Sequence, residues 1–408
     1  IEGAYDSTLA TNSGTVEGAT DGLVFANVGN TVLVNTGTIT GGDRGVVADI
    51  GPVTLDNGGT ITGGGGVAVQ LGSFDDSVTL RTGSVINGLL DAGDGFDALT
   101  LDGDILELTE QQQLTAVDGF ETLEVAAGYW STGGFVGDFG AVGIAEGAAL
   151  QVNEIEYDEG LFTTPIFTPT VVNNGLLVVN FNEDDVVSAL GELSVTGTGA
   201  VRLIGEAVFT LDTGNFAHAG GTIVSNGGLV LTGTLLGDVT TEGDGFFQLG
   251  AGGAEGNFDG DIVNNGRFVF NRSDDYDFLG AFSGTGTLIK DGDSILSFLG
   301  DYNFSGLTNI LAGSVRIGGV IDPETNFNLG SGSLDISGTN QSIGGLAGGN
   351  DSSVVIDNSE LTINQDEDTA YAGNITGDGS IVKDGEGTLN LTGNSTYTGS
   401  TSVNGGTL

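Results

Sequence analysis

The chain has no cysteine and no methionine, and it contains one tryptophan, four prolines and eight basic residues among 408. Without cysteine it has no disulfide framework, no thiol nucleophile and no thiolate zinc site. No run of about 18 apolar residues occurs, which excludes a transmembrane helix in this sequence. The one histidine, His218, is a poor basis for a serine hydrolase, and we expect it at a loop or corner.

Basic residues are scarce while acidic ones are abundant. The 55 carboxylates against eight cations give a formal charge of −47. Nucleic acid and anionic lipid would be repelled, because no basic patch is available to release counterions. Acidic surfaces attract divalent cations, but we expect a solvated acidic exterior with no specific ligand.

Glycine, in contrast, is very common, with 76 residues. A Gly-X-Y period is absent and 38% of residues are hydrophobic, which excludes collagen and a disordered tail. Bursts of three to five β-branched or apolar residues, separated by Gly, Asn, Asp and Ser, are typical of short strands and tight turns. The pattern predicts almost no helix, with a helical turn or two only at Thr109–Val117.

Short motifs recur in three interleaved columns over the first hundred residues. The first column consists of Asn12–Gly18, Asn35–Gly41, Asn57–Gly63 and Arg81–Gly88. The second begins at Gly22, Gly45, Gly66 and Gly88, each followed by mostly apolar residues. The third consists of Thr31–Val34, Pro52–Leu55, Ser77–Leu80 and Ala98–Leu101.

This spacing predicts an all-β fold, a right-handed, three-sided parallel β-helix (solenoid) with about 22 residues per coil. One coil cannot bury its own apolar side chains, whereas stacked coils share an interior and hydrogen-bond strand to strand. We expect Gly and Asn to supply positive φ angles at the corners. A propeller or sandwich is the alternative, and it would need longer repeats or strands.

Three regions differ in regularity. Residues 1–103 are regular coils, 104–279 continue the solenoid with irregular loops, and 280–408 contain a second repeat. A loop at 154–170, with two of the four prolines, is expected to protrude. Because the chain starts without methionine and stops inside a strand-like motif, we expect a piece of a longer protein.

Residues 280–315 and 373–408 align without a gap. Their shared features include Lys290-Asp291-Gly292 with Lys383-Asp384-Gly385, and Phe304-x-Gly306-x-Thr308 with Tyr397-x-Gly399-x-Thr401. The run from Gly377 to Leu408 resembles the autotransporter-associated β-strand repeat of bacterial type V secretion passengers. The segment Phe120–Val125, followed by Gly128-Tyr129-Trp130, is similar to another recurrent passenger segment.

This resemblance implies export and display at the outer-membrane cell surface by a covalent C-terminal β-barrel translocator, before which the chain is truncated. Passengers of this family carry adhesins, self-association factors, proteases and lipases. Because the catalytic groups of a hydrolase are missing here, we favour a non-catalytic structural stalk or adhesin. Its partners would be cell-surface or matrix carbohydrate or protein, or copies of itself. An inert passenger that carries another domain is a further possibility, since a fold does not select a function.

A polysaccharide-active β-helix enzyme is the competing hypothesis. Hydrolases of this shape use clustered carboxylates, and lyases use calcium with an arginine base. Acidic clusters occur at Glu183–Asp185, Asp274–Asp277 and Asp366–Asp368. Arg272 lies beside the second. We expect all three clusters to be solvated loop tips.

An aspartate pair recurs one coil apart. Aligning 72–80 with 93–101 places Asp97 above Asp76. Stacked like charges repel unless a cation, a hydrogen-bonding turn or a raised pKa compensates. The run from Ala92 to Leu99 also resembles the calcium-binding nonapeptide of RTX β-rolls. We therefore consider Asp76, Asp94 and Asp97 as calcium ligands, against an aspartate corner that accepts backbone N–H groups.

Overall fold

A computed structural model describes residues 7–26, 29–107, 110–114, 116–132, 139–153, 155–157, 161–163, 170–181, 194–212 and 216–408. All helix and strand elements in these ranges are β-strands, and none of the described residues forms a helix suited to crossing a membrane. The chain divides into two compact units, residues 1–202 with 215–220 and residues 203–214 with 221–408.

Strands of the first unit are short and closely spaced along the chain. They are β1 (Thr8–Asn12), β2 (Thr15–Gly18), β3 (Asp21–Val24), β4 (Thr31–Asn35), β5 (Thr38–Gly41), β6 (Arg44–Ala48), β7 (Val53–Asn57), β8 (Thr60–Leu71), β9 (Ser77–Arg81), β10 (Val85–Asp91), β11 (Ala98–Asp102), β12 (Gln112–Leu114), β13 (Val117–Asp118), β14 (Thr122–Ala127), β15 (Tyr129–Thr132), β16 (Ala141–Ile144), β17 (Ala149–Asn153), β18 (Ile155–Tyr157), β19 (Leu161–Thr163), β20 (Thr170–Asn173), β21 (Leu176–Asn180), β22 (Ser194–Gly197), β23 (Ala200–Leu203) and, after the first strand of the second unit, β25 (Phe216–His218).

The second unit has the same character. Its strands are β24 (Val208–Leu211), β26 (Thr222–Val224), β27 (Gly228–Leu231), β28 (Thr234–Leu235), β29 (Val239–Thr241), β30 (Phe246–Leu249), β31 (Asn257–Phe258), β32 (Ile262–Asn264), β33 (Arg267–Asn271), β34 (Tyr276–Phe278), β35 (Phe282–Gly284), β36 (Thr287–Asp291), β37 (Ile295–Phe298), β38 (Tyr302–Phe304), β39 (Leu307–Ile310), β40 (Ser314–Ile317), β41 (Asn326–Leu329), β42 (Ser333–Asp335), β43 (Gln341–Ile343), β44 (Gly345–Gly348), β45 (Ser353–Val355), β46 (Glu360–Asn364), β47 (Thr369–Tyr371), β48 (Asn374–Thr376), β49 (Ser380–Asp384), β50 (Leu389–Leu391) and β51 (Thr401–Val403).

Apart from β18 and β19, each strand of the first unit pairs in parallel with its counterpart about one coil away. One stack contains β1, β4, β7, β9, β11, β14, β16, β20, β22 and β25, and it holds the third sequence column. The other two columns form β2, β5, β8 and β10 with β3 and β6, and β8 merges both columns into one strand. The predicted parallel solenoid is therefore confirmed, and a further stack of β12, β15, β17, β21 and β23 replaces these columns later in the unit.

Register differs from the letter-by-letter alignment at several steps. Thr15, Thr38 and Thr60 pair as aligned. In the third column Val53 lies opposite Thr31, one residue from the aligned position, and Leu55 lies opposite Val78, two residues away. Corners absorb these differences, because a turn can gain a residue while the strand keeps its inward-facing set.

Coils are shorter in the second unit. Its longest stack runs β24, β27, β30, β33, β36, β39, β41, β44, β47 and β50. The offsets along that stack from β24 to β44 lie between 18 and 21 residues. Parallel stacks β26–β29–β32–β35–β38, β34–β37–β40–β42–β45–β48 and β43–β46–β49–β51 complete the coils. Across the chain the spacing averages about 21 residues.

Alternate residues of each strand point inward and form the core. In β33, for example, Phe268 and Phe270 are buried while the residues between them are not. Burying each such side chain contributes about 1.5–3 kcal/mol, and the same inward position recurs coil after coil. The second unit concentrates aromatic rings here, including Phe282, whose ring lies 4.8 Å from that of Phe304.

Asparagines at the first-unit corners form a ladder. Asn12 Nδ2 donates to Asn35 Oδ1 at 2.8 Å, and Asn35 Nδ2 donates to Asn57 Oδ1 at 2.7 Å. Asn35 and Asn57 are fully buried. The expectation of positive φ angles at these corner asparagines is wrong, since Asn358 is the one non-glycine residue with positive φ in the described part of the chain. The asparagines serve instead to join adjacent coils.

Corner glycines of the first column are required mostly by close approach. Gly37 has no positive φ, but a Cβ added to it would lie 2.1 Å from the carbonyl oxygen of Gly14. Gly59 meets Gly37 in the same way at 2.1 Å. Within this column only Gly83, at φ 81°, and Gly88, at φ 126°, adopt the expected positive φ. Glycine here lets one coil lie directly on the next.

We predict that Gly37→Ala destabilises the first unit by about 1–3 kcal/mol, because the added methyl group overlaps backbone atoms that cannot turn away. Gly14→Ala is the matched control, since its Cβ would meet nothing within 4 Å. We expect the control to be neutral or stabilising by a few tenths of a kcal/mol. Guanidinium unfolding curves measure both, and equal losses would contradict the close-approach explanation.

Two local predictions need correction or completion. The helical turn predicted at 109–117 is wrong, since Gln112–Leu114 forms β12 and pairs in parallel with β15. Stacking on the neighbouring coil outweighs the weak helical preference of its glutamines.

Of the loop predicted at 154–170, residues 154, 158–160 and 164–169 lie outside the described residues. Its described part includes β18 and β19, which pair antiparallel to each other.

Candidate functional site

Three carboxylates form a ladder beside the stack that contains β7, β9, β11 and β14. Asp76 Oδ1 accepts the Val53 N–H at 2.6 Å, and Asp97 Oδ1 accepts the Asp76 N–H at 2.6 Å. Glu121 Oε2 continues the series by accepting the Asp97 N–H at 2.5 Å. The corner before each strand thus receives a carboxylate from the following coil. The predicted stacking of Asp97 on Asp76 is confirmed. The carboxylates accept backbone N–H groups at the corner, which is the arrangement considered as the alternative to calcium.

Burial dominates the electrostatics of this ladder. Asp76 and Asp97 are 3% and 0% exposed, and the Oδ2 atom of each is buried without a hydrogen-bond partner. Burial raises the pKa of Asp76 to about 6, and the charge of Asp97 adds to that effect while the Val53 N–H opposes it. The pKa of Asp97 is raised for the same reason, with the charge of Glu121 contributing. A proton on the buried oxygen relieves the repulsion.

We predict that Asp76→Asn changes how stability depends on pH. The unfolded chain releases this proton near pH 4 and the folded chain near pH 6, so wild-type stability falls as pH rises through that window. An amide keeps the acceptor for Val53 and cannot ionise. The variant should therefore match wild type near pH 4 and exceed it by about 2–3 kcal/mol at pH 7.

Denaturant unfolding at a series of pH values measures this difference. Asp94→Asn is the control, because Asp94 lies in the equivalent corner of the following coil but is exposed. It should leave the pH dependence as in wild type. Parallel stability curves for wild type and Asp76→Asn across pH 4–7 would show that Asp76 does not titrate as argued.

The calcium hypothesis finds two of its three ligands together. Asp76 and Asp97 adjoin with two unsatisfied oxygen atoms, while Asp94 is exposed. Calcium takes six to eight oxygen ligands. In the described part of the chain no group of three or more His, Cys, Asp or Glu side chains is placed to hold a metal ion. The calcium site therefore stays a prediction. Comparing the melting temperature in calcium with that in a chelator tests it.

Buried cations close several corners of the second unit. Arg272 is 4% exposed, and its guanidinium donates to the carbonyl oxygens of 254–256, including Ala254 O at 2.8 Å. It also pairs with Asp274 at 2.9 Å and lies over the ring of Tyr276 at 4.9 Å. Arg272 is the arginine that a lyase mechanism would use as its base. These contacts hold its guanidinium in the corner instead.

The Lys-Asp-Gly motif of the second repeat has the same role. Lys290 is fully buried, and its Nζ donates to Asp291 O at 3.0 Å and Gly292 O at 2.7 Å, with Ala312 O at 3.4 Å. Burial lowers the pKa of Lys290 to about 8, and nearby carboxylates oppose that shift. Gly292 makes the turn at φ 78°, which brings both carbonyls to the ammonium.

Lys383 reproduces this arrangement one repeat later. It is also fully buried, and its Nζ donates to Asp384 O, to Gly385 O at 3.0 Å and to Gln365 O at 3.3 Å. Gly385 turns at φ 75°. The sequence showed the repeated motif but not its structural role. A lysine among apolar strand residues is uncommon, and that placement could have indicated that the lysine is buried.

Residues considered for catalysis are used structurally. His218 is expected at a loop or corner. It is the last residue of strand β25, and it is 1% exposed with its ring 5.7 Å from that of Phe216. Burial lowers the pKa of His218, which favours the neutral imidazole.

The acidic clusters act mainly at turns. Asp275 Oδ1 accepts the Ile295 N–H at 2.9 Å, and Asp368 Oδ1 accepts the Thr388 N–H at 2.7 Å. These carboxylates cap the backbone of the following coil. The cluster at 183–185 lies outside the described residues.

An open groove of about 650 Å³ lies on the outer face of the first unit. Along and just after β16 the outward residues are Ala141, Gly143 and Ala145, while Val142 and Ile144 are buried between them. Glu124 on β14 and Val172 on β20 lie opposite Gly143 on its two sides. Its lining is formed by Thr122, Leu123, Glu124, Ala141, Val142, Gly143, Ile144, Ala145, Glu146, Val172, Asn174 and Thr198.

Three segments of the chain match the passenger-associated-transport-repeat family, residues 193–231, 288–317 and 381–408. The second and third overlap the two copies of the internal repeat and contain Lys290 and Lys383. The first was not recognised from the sequence pattern, because it lacks the Lys-Asp-Gly motif.

A longer match extends this relationship. Over 147 residues, 32% of this chain, the sequence is 39% identical to a protein named adhesin BmaC autotransporter from Brucella suis biovar 1 (strain 1330). The match spans 4% of that relative's length. No solved structure matches the chain. The repeats and this relative support the expected resemblance to passenger segments of bacterial autotransporters, which are located at the outer-membrane surface or outside the cell.

Proposed function

We propose that this passenger segment is a non-catalytic stalk or adhesin that attaches the bacterial surface to other cells or to matrix. The observation that carries the proposal is the 39% identity over 147 residues to a protein named an adhesin. The solenoid suits this role, because each coil adds outward side chains on a continuous core.

Support also comes from how reactive groups are used. Arg272 and His218 are buried, and Asp275 and Asp368 cap backbone N–H groups of the next coil. Glycoside hydrolysis needs a carboxylate pair that flanks an accessible bond. The described acidic residues are better explained as turn residues than as such a pair.

Bead attachment tests the proposal. Beads coated with the folded chain should bind cells or matrix proteins above beads coated with heat-denatured chain. Attachment no stronger than the denatured control would reject the adhesin. Polysaccharide release by the intact chain, abolished by substitutions at 274–277 or 366–368, would establish the enzyme instead.

We further propose that copies of the chain can associate, and that the full-length protein carries a C-terminal translocator. Sedimentation velocity over a range of concentrations tests association directly. A single sedimentation coefficient at all concentrations would reject it, while leaving adhesion to other partners intact.

A further inference from the structure

We propose that the outer groove of the first unit binds an extended polypeptide segment bearing lysine or arginine. The proposal rests on the adhesin function and assigns it a location and a partner chemistry. It is carried by the shape of the groove, by its uncompensated carboxylates and by the residues that line it.

Shape comes from three small residues in succession. Ala141, Gly143 and Ala145 give this row no side chain longer than a methyl group. Adjacent strands lie about 4.8 Å apart, so β14 and β20 form walls about 10 Å from each other. Alternate residues advance about 7 Å, which makes the trough about 14 Å long. These dimensions fit one extended chain lying along the strand direction.

Charge selects the occupant. Glu124 and Glu146 line the groove, and its lining contains no lysine or arginine. Within the described part of the chain no ion pair joins either glutamate to a cation. The Glu124 carboxylate extends over Gly143, since a Cβ added there would lie 1.9 Å from Glu124 Oε2. A cation above the trough would therefore meet a carboxylate across its floor.

The remaining lining favours a polypeptide over a carbohydrate. None of the described lining residues is aromatic, so the described part of the groove offers no ring face to a sugar. Thr198 Oγ1 donates to Asn174 Oδ1 at 3.3 Å, which leaves the Asn174 amide N–H groups to donate to a backbone carbonyl. Val172, 46% exposed, offers an apolar contact to a side-chain stem. Lysine and arginine have such apolar stems below their charge.

A substitution that fills the trough tests the shape. Gly143→Leu adds an outward side chain whose nearest obstacle is the flexible Glu124 carboxylate, and φ at Gly143 is not positive. Folding and melting temperature should therefore be retained. Fluorescence anisotropy of fluorescein-labelled octalysine, at about 0.15 M ionic strength, should show about tenfold weaker binding. Thr54→Leu, exposed on β7 and separated from β14 by β9 and β11, should bind as wild type.

A pair of charge variants separates the groove from the general acidity of the chain. Glu124→Gln with Glu146→Gln removes two charges from the groove, and Glu17→Gln with Glu107→Gln removes two exposed charges elsewhere in the same unit. We expect about tenfold weaker octalysine binding for the first pair and less than about twofold for the second. Equal losses would show diffuse attraction and overturn the proposal.

Two further outcomes separate this proposal from the adhesin function. If coated beads attach and Gly143→Leu attaches equally well, the groove assignment fails while the adhesin stands. If wild-type beads do not attach at all, the adhesin itself fails. Binding of a neutral oligosaccharide that is lost in Gly143→Leu would overturn the assignment of a basic polypeptide.

Discussion

Replacing Phe282 with alanine should lower the free energy of unfolding of the second unit by about 4 kcal/mol. Its side chain is fully buried. The ring lies 5.1 Å from that of Phe298, 4.8 Å from that of Phe304 and 5.5 Å from that of Tyr302. The substitution removes an inward-facing aromatic ring and leaves a cavity that the rings of adjacent coils cannot completely fill. Guanidinium unfolding followed by circular dichroism measures the loss.

Phe246→Ala is the matched control for Phe282→Ala. Phe246 begins β30 and points outward, where Arg267 lies 4.7 Å above its ring. We expect a cost below about 1 kcal/mol for the control. Hydrogen exchange should show faster opening of 278–304 in Phe282→Ala with little change in the first unit, because solenoid coils interact mainly with their neighbours. Similar costs for both variants would contradict the importance of the aromatic core.

Replacing Arg272 with methionine should cost about 3–4 kcal/mol. Methionine fills much of the volume but donates no hydrogen bond, so the carbonyl oxygens of 254–256 lose their partner and Asp274 loses its counter-charge. Unmet buried acceptors are more costly than the burial of a well-paired guanidinium. Denaturant unfolding at neutral pH measures the difference.

Arg267→Met provides the comparison for Arg272. Arg267 is exposed on β33, the strand that directly precedes Arg272. It should lose less than about 1 kcal/mol. Arg272→Lys should be intermediate, because an ammonium cannot reach the same set of acceptors as a planar guanidinium. If Arg272→Met is as stable as Arg267→Met, the corner does not depend on the cation.

Strand positions in the first unit were predictable because the apolar residues repeat with the coil. The three columns become strands β2 to β11, and the offset of 21 correctly stacks Asp97 on Asp76. A residue that recurs at a fixed interval in a solenoid must occupy equivalent positions, so even a polar pair can be placed from sequence. The internal repeat likewise located Lys290 and Lys383 as equivalent.

Features that depend on the distance between coils were not predictable. Gly37 is required because the backbone of the neighbouring coil approaches it closely. Composition cannot distinguish that requirement from a need for positive φ. The groove needs Ala141, Gly143 and Ala145 on one face with longer side chains on both neighbouring strands. The sequence does not show which residues of β16 and β20 lie opposite each other, because a long segment separates the two strands. The role of Lys290 depends on carbonyl directions that only the folded turn sets.

Burial of the two lysines has a practical consequence for labelling. Lys290 and Lys383 are the only lysines in the chain, and both are fully buried with their amines engaged by carbonyl oxygens. Amine-reactive dyes, biotin esters and sensor-surface coupling should therefore modify the folded lysines poorly. Since the chain also has no cysteine, one introduced cysteine would be its sole thiol, and a probe could be attached at any chosen coil.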